Sequence, residues 1–167
     1  TADDVAGPFV TLPEEYYDRR DMDCQCYESL AEKLAEAHHT TVDLLGKLNP
    51  GVDLDAATAG TTLNVPAVAR QQPAGAGTVS RIVISDGGRY LHALDGAGRI
   101  LYHFPATLGC DYSPSPTGEY RVTNIAQDPT WHYQPDLLEG VADDEPDAVL
   151  PAGPNNAVGV VWMQLSR

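Results

Sequence analysis

Cysteine is scarce in this chain: three residues in 167. That is too few for a disulfide-built scaffold, so a hydrophobic core must carry the fold. Aromatic residues make up only 7% of the chain, which leaves that core to Val, Leu, Ile and Ala. Positive charge is also thin. Ten Lys and Arg stand against 24 Asp and Glu, a formal net charge of -14. Nucleic acid and bare anionic membrane both need a basic face, so neither is expected as a partner. No apolar run approaches the roughly 20 residues of a membrane span, and no basic-then-apolar leader opens the chain.

The cysteines themselves offer little. Cys24 and Cys26 are one residue apart, a poor spacing for a relaxed mutual disulfide, and Cys110 is remote from both. No second Cys/His pair stands at zinc-finger spacing, so no metal and no cofactor is expected. The adjacent His38 and His39 end a helix, where imidazole suits the dipole. His92 and His103 fall on strands and read as sheet-surface or packed residues.

What is present is a change of period along the chain. Residues 1–23 are acidic and broken by Pro8 and Pro13, and read as an extended arm. In 24–67, Leu30, Leu34 and Ala37 recur at helical spacing and predict a helix near 28–38. Thr40 with Asp43 resembles a capping box that opens a second helix, with Val42, Leu45 and Leu48 on one face. Asn49-Pro50-Gly51 stops it. Strands are expected around 24–27 and 61–65, giving the order β-α-α-β. Residues 68–78, rich in Gly, Ala and Gln, read as a linker.

From Arg81 the period becomes two. Strands are predicted at 81–85, 89–94 and 99–104, separated by Asp86-Gly87-Gly88 and Asp95-Gly96-Ala97-Gly98 turns, so an antiparallel meander is expected. A fourth strand follows at 119–125 and a last one at 158–165, with Trp162 read as core. Between them, 126–157 reads as a long loop with an acidic run over 139–147.

Two resemblances follow from these segments. The 24–67 unit, with Leu45-Gly46-Lys47-Leu48-Asn49-Pro50-Gly51 and the closing Leu63-Asn64-Val65-Pro66, resembles a LysM module, a family that binds N-acetylglucosamine-containing glycans. That implies glycan contacts at Tyr27, Asn49, Pro50, Gly51 and Asp53; helix termination is the other reading of the same residues. Pro114-Ser115-Pro116-Thr117-Gly118, the Trp131-containing insertion and the Gly153-Pro154-Asn155-Asn156 segment, in that order, resemble the first part of an L,D-transpeptidase catalytic domain over 79–167. The resemblance implies a mainly antiparallel β-sandwich, incomplete here, in an α+β chain. It also implies acyl transfer on peptidoglycan stem peptides by a cysteine thiolate beside a histidine, in an exported, cell-envelope or periplasmic protein.

The family's Ser-His-Gly-Cys motif is not among these residues, so no catalytic residue is assigned and the chain is expected to be interrupted before it. Trp131, Tyr133, Asn155 and Asn156 are the substrate-groove candidates. Core packing competes for the aromatics and turn formation for the asparagines. A different reading of the whole chain is a non-catalytic peptidoglycan-binding LysM protein with a degenerate sandwich as scaffold. Peptidoglycan stems and glycan strands are the expected partners under both readings.

Overall fold

The computed structural model describes residues 1–68, 77–109, 113–138, 141 and 145–166. Cys110, most of the 68–78 linker and part of the acidic run over 139–147 lie outside the described residues. The chain divides into two compact units. One joins Thr1–Val68 to Tyr120–Arg167; the other is Ala69–Glu119.

In the first unit, α1 (Ala2–Val5), α2 (Leu30–Ala37) and α3 (Val42–Leu48) form around one small core. The Ser29 side chain caps α2 by accepting from Glu32 N–H at 3.1 Å, and the Glu32 carboxylate accepts in return from Glu28 N–H. Leu30, Ala31, Leu34 and Ala35 are buried along α2 and pack with Leu45 and Leu54; Val5, Ala57 and Leu63 flank them. Ala37 and Val42, expected on the apolar faces, are exposed. The cap of α3 is Thr41 rather than Thr40: its hydroxyl accepts from Leu44 N–H at 3.2 Å, because the helix begins one residue later.

The strands expected at 24–27 and 61–65 do not form. Each segment is held by other bonds. Gln25 N–H donates to Ala152 O at 3.0 Å, and Asn155 N–H donates to Gln25 O at 3.0 Å. The 61–65 segment is pinned by the Asn49 side chain instead of a neighbouring strand. The N-terminal arm is not wholly extended either, since a 3₁₀ turn spans Tyr17–Asp21.

Two ribbons complete this unit. β4 (Val122–Gln127) pairs with β7 (Val161–Leu165), and β5 (Trp131–Tyr133) pairs with β6 (Ala148–Leu150), both antiparallel. The second ribbon lies inside the stretch read as a loop. Three-residue strands are too short to show a period, which is why 126–157 gave no strand signal. Trp162 is half exposed at 51%, not core. The β4–β7 ribbon has only two strands, and every residue of β7 is exposed.

The second unit carries the expected meander. β1 (Arg81–Ser85), β2 (Tyr90–Leu94) and β3 (Ile100–Pro105) form one antiparallel sheet in sequence order. Asp95 organises the β2–β3 turn. Its carboxylate accepts from Ala97 N–H and Arg99 N–H at 2.9 Å each, and Arg99 Nε donates to it at 2.7 Å. Those bonds, the Arg99 backbone N–H first, hold the Asp95 carboxyl below its usual range. The strands of the chain thus make three small antiparallel sheets among the described residues. Helices and antiparallel strands together give an α+β chain.

Candidate functional site

The first unit gathers most of the residues singled out from the sequence. Trp131 and Tyr133 alternate on β5 and meet edge-to-face, with ring centroids 5.3 Å apart. Tyr16, from the arm, stands edge-on to Trp131 at 5.1 Å and tilted to Tyr133 at 6.4 Å. Arg19 lies over the Tyr16 ring, 4.6 Å from its centroid, and its Nε donates to Pro13 O at 2.8 Å. The arm is therefore tied onto the insertion by the edge-on contact of Tyr16 with Trp131, with Arg19 over the Tyr16 ring. The 3₁₀ turn that carries Arg19 packs beside β6.

Tyr133 is buried and its hydroxyl donates to Glu145 Oε2 at 2.5 Å. That bond, then burial, pushes the phenol up to about 12, because both disfavour the phenolate. Trp131 is half-buried and keeps part of its ring exposed.

Asn155 and Asn156 are spent on the turn that carries them. The Asn156 amide donates to Pro129 O at 3.1 Å and Pro151 O at 3.0 Å, and its Oδ1 accepts from Val158 N–H at 3.0 Å. Both amide hydrogens are in use, and the residue is 5% exposed. Asn155 donates its amide to Cys26 O at 3.1 Å. Gly153 makes this contact possible: its φ is +154°, and a Cβ there would collide with the Gln25 carbonyl.

Cys24 and Cys26 are joined in a disulfide, contrary to the expectation from their spacing. The backbone brings their Cα atoms to 5.2 Å, inside the range a disulfide accepts. Gln25 between them is completely buried, and its amide donates to Pro151 O at 3.0 Å. These two thiols are thus not free as nucleophiles.

The residues suggested for glycan contact divide in two. Asn49 is buried at the end of α3; its amide donates to Leu45 O at 2.9 Å and Asn64 O at 2.8 Å, and its Oδ1 accepts from Asn64 N–H at 2.7 Å. Pro50, Gly51 and Asp53 are exposed beyond it, with Gly51 at φ +84°. Asp53 turns the chain by accepting from Asp55 N–H at 3.1 Å and Ala56 N–H at 3.3 Å. Tyr27 lies apart from that turn. Its carbonyl accepts from Val10 N–H at 3.0 Å. Its phenol is raised by burial first, then by the charge of Glu36, a hydrogen bond to Glu36 and the charge of Glu32. An open cleft of about 630 Å³ runs along the α2–α3 junction, lined by residues such as Glu36, Thr40 and Leu44.

Residues 79–165 match the YkuD family model, the L,D-transpeptidase catalytic domain. The chain belongs to that family. The match covers more than half of the chain and includes both the meander and the Trp131–Asn156 region. The family acts on peptidoglycan, and none of the described helices is long and apolar enough to cross a membrane. No match is found among curated proteins.

Tyr16 and Gln25 carry no signal in the sequence that marks them for the site, and Glu145 stands out there only as part of the acidic run over 139–147. A buried glutamine carries no periodic signal. The role of Glu145 depends on a partner twelve residues away across a ribbon.

Proposed function

We propose that this chain is part of a cell-envelope peptidoglycan L,D-transpeptidase. The observation that carries the reading is the family match over 79–165. In such an enzyme a cysteine thiolate attacks the carbonyl between the third residue and the D-amino acid of a stem peptide, the amide bond breaks, and the D-amino acid leaves with a proton on its amine as the thioester forms. The adjacent imidazole accepts the thiol proton, backbone N–H groups stabilise the oxyanion, and an amine from a second stem resolves the thioester. The Ser-His-Gly-Cys motif is not among these 167 residues, and Cys24 and Cys26 are tied to each other. These residues would therefore supply scaffold and groove wall rather than the nucleophile.

Within that reading, Trp131 offers its exposed ring area to substrate, with Tyr133 and Tyr16 bracing it. Asn155 and Asn156 hold the turn behind it. Residues 24–67 act as a LysM-like anchor on glycan, with Pro50, Gly51 and Asp53 as the accessible contacts, Asn49 as their support and Tyr27 as a separate contact. Two capped helices on one shared core support this assignment.

Intact-mass spectrometry of the natural gene product after exposure to a carbapenem tests the enzyme reading. A stoichiometric acyl adduct on a cysteine other than Cys24, Cys26 and Cys110 is expected. Pull-down on purified peptidoglycan without any adduct would instead favour a non-catalytic wall-binding protein.

A further inference from the structure

The meander of the second unit holds a pair of imidazoles that the transpeptidase reading does not use. His92 on β2 and His103 on β3 are directly opposite each other in the antiparallel register. His92 Nε2 and His103 Nδ1 are 2.8 Å apart. The ring of His92 stacks on Tyr90 at 4.0 Å between centroids, with an interplanar angle of 22°. His103 is exposed and His92 half-buried, so one ring is braced and the other is open to solvent.

We propose that His92 and His103 form a two-imidazole site for a divalent first-row cation of the copper(II) class. The spacing supports it. Two metal–nitrogen bonds of about 2.0 Å at a right angle span about 2.8 Å, whereas a tetrahedral angle spans about 3.3 Å. The observed separation matches the right-angled, tetragonal case without moving either strand. Only the rings must turn, so that both lone pairs aim at one point beside the present N···N line. Tyr90 stacks on His92 and meets His103 only at 5.8 Å, tilted by 40°, so the exposed His103 ring makes the larger turn.

The proton count closes for a neutral pair. The hydrogen now shared between Nε2 of His92 and Nδ1 of His103 moves to the outer nitrogen of the ring that carries it. Both inner nitrogens then bind the cation, and no proton is released. No group of three or more His, Cys, Asp or Glu side chains suited to a metal is found among the described residues. Water therefore completes the coordination, and the site is exchangeable rather than structural. Imidazole nitrogen ranks copper(II) above nickel(II) and zinc(II).

The test is titration of the whole chain with copper(II) chloride, followed by electron paramagnetic resonance and calorimetry. One equivalent with hyperfine structure from two nitrogens is expected. His92→Phe and His103→Phe, which keep an aromatic ring on the strand, should each weaken binding at least tenfold, while His39→Phe and His132→Phe leave it unchanged. Unaltered binding in the first two variants overturns the site, as does the absence of a tight equivalent. Tighter binding of zinc(II) than of copper(II) overturns the choice of cation. NMR of the unsubstituted protein decides independently of variant folding: substoichiometric copper(II) should broaden the ring signals of His92 and His103 before those of His38, His39 and His132. The reverse order excludes the pair.

Discussion

The carbonyl of Gln25 accepts the backbone N–H of Asn155 at 3.0 Å, across 130 residues of sequence. The same glutamine donates its backbone N–H to Ala152 O and its side-chain amide to Pro151 O. It is completely buried between the two half-cystines. One residue thus joins the end of the N-terminal arm to the turn that precedes the last strand. Gln25→Ala should destabilise the first unit by about 2 kcal/mol, through a lost buried hydrogen bond and the cavity left behind. Urea denaturation checks the size. Hydrogen exchange should rise at 151–156 before it rises in β1–β3.

Gly153 allows that approach, so Gly153→Ala should cost about 2 kcal/mol or more. Its backbone is in a region that L side chains avoid, and the added methyl meets the backbone of Gln25 rather than a side chain that could move. Gly96→Ala is the control. A Cβ there meets nothing, and thermal unfolding should shift little.

Asn49 makes three hydrogen bonds, a buried one to Leu45 O at the end of α3 and two partly buried ones that close the helix onto Asn64. Asn49→Ala should lower stability by about 2–3 kcal/mol, because two carbonyls and one N–H lose their partner. Asp53→Ala, on the exposed turn beyond it, should leave stability within about 1 kcal/mol. If that turn contacts glycan, pull-down by peptidoglycan should fall with Asp53→Ala although the fold survives.

Tyr133 sets a high-pH limit. Its folded phenol titrates at about 12 against an ordinary value near 10. The folded state therefore holds the proton more tightly, and this stabilisation is fully present below about pH 10 and lost as pH rises toward 12. Tyr133→Phe should remove that part of the alkaline decline in stability and cost about 1 kcal/mol at neutral pH. Phenolate absorbance in the unsubstituted protein should show a late-titrating tyrosine that Tyr133→Phe removes, with Tyr27 raised as well.

The parts of the fold readable in the sequence are those with local causes. The meander was legible because Ile82, Ile84, Tyr90, His92 and Leu94 alternate and Asp-Gly turns separate the strands. Both helices were legible from Leu30, Leu34 and Leu45, although Ala37 and Val42 proved exposed. The β5–β6 ribbon was not, since three residues carry no period. The strands expected around Cys24 and Leu63 failed because their backbone groups found better-placed partners at 151–155 and in the Asn49 side chain.

The groove candidates show the same division. Trp131 and Tyr133 stood out by type and spacing, but their bracing by Tyr16 and Glu145 depends on contacts between distant segments. Local propensity, period and turn chemistry determined where the helices and the meander lie, because each rests on residues a few positions apart. The family signature was likewise a matter of ordered segments along the chain. Only tertiary structure decided that Cys24 bonds Cys26, that Gln25 is buried, and that His92 faces His103. Those outcomes rest on which backbone groups and side chains come within bonding distance once the chain is folded, and no periodicity encodes that.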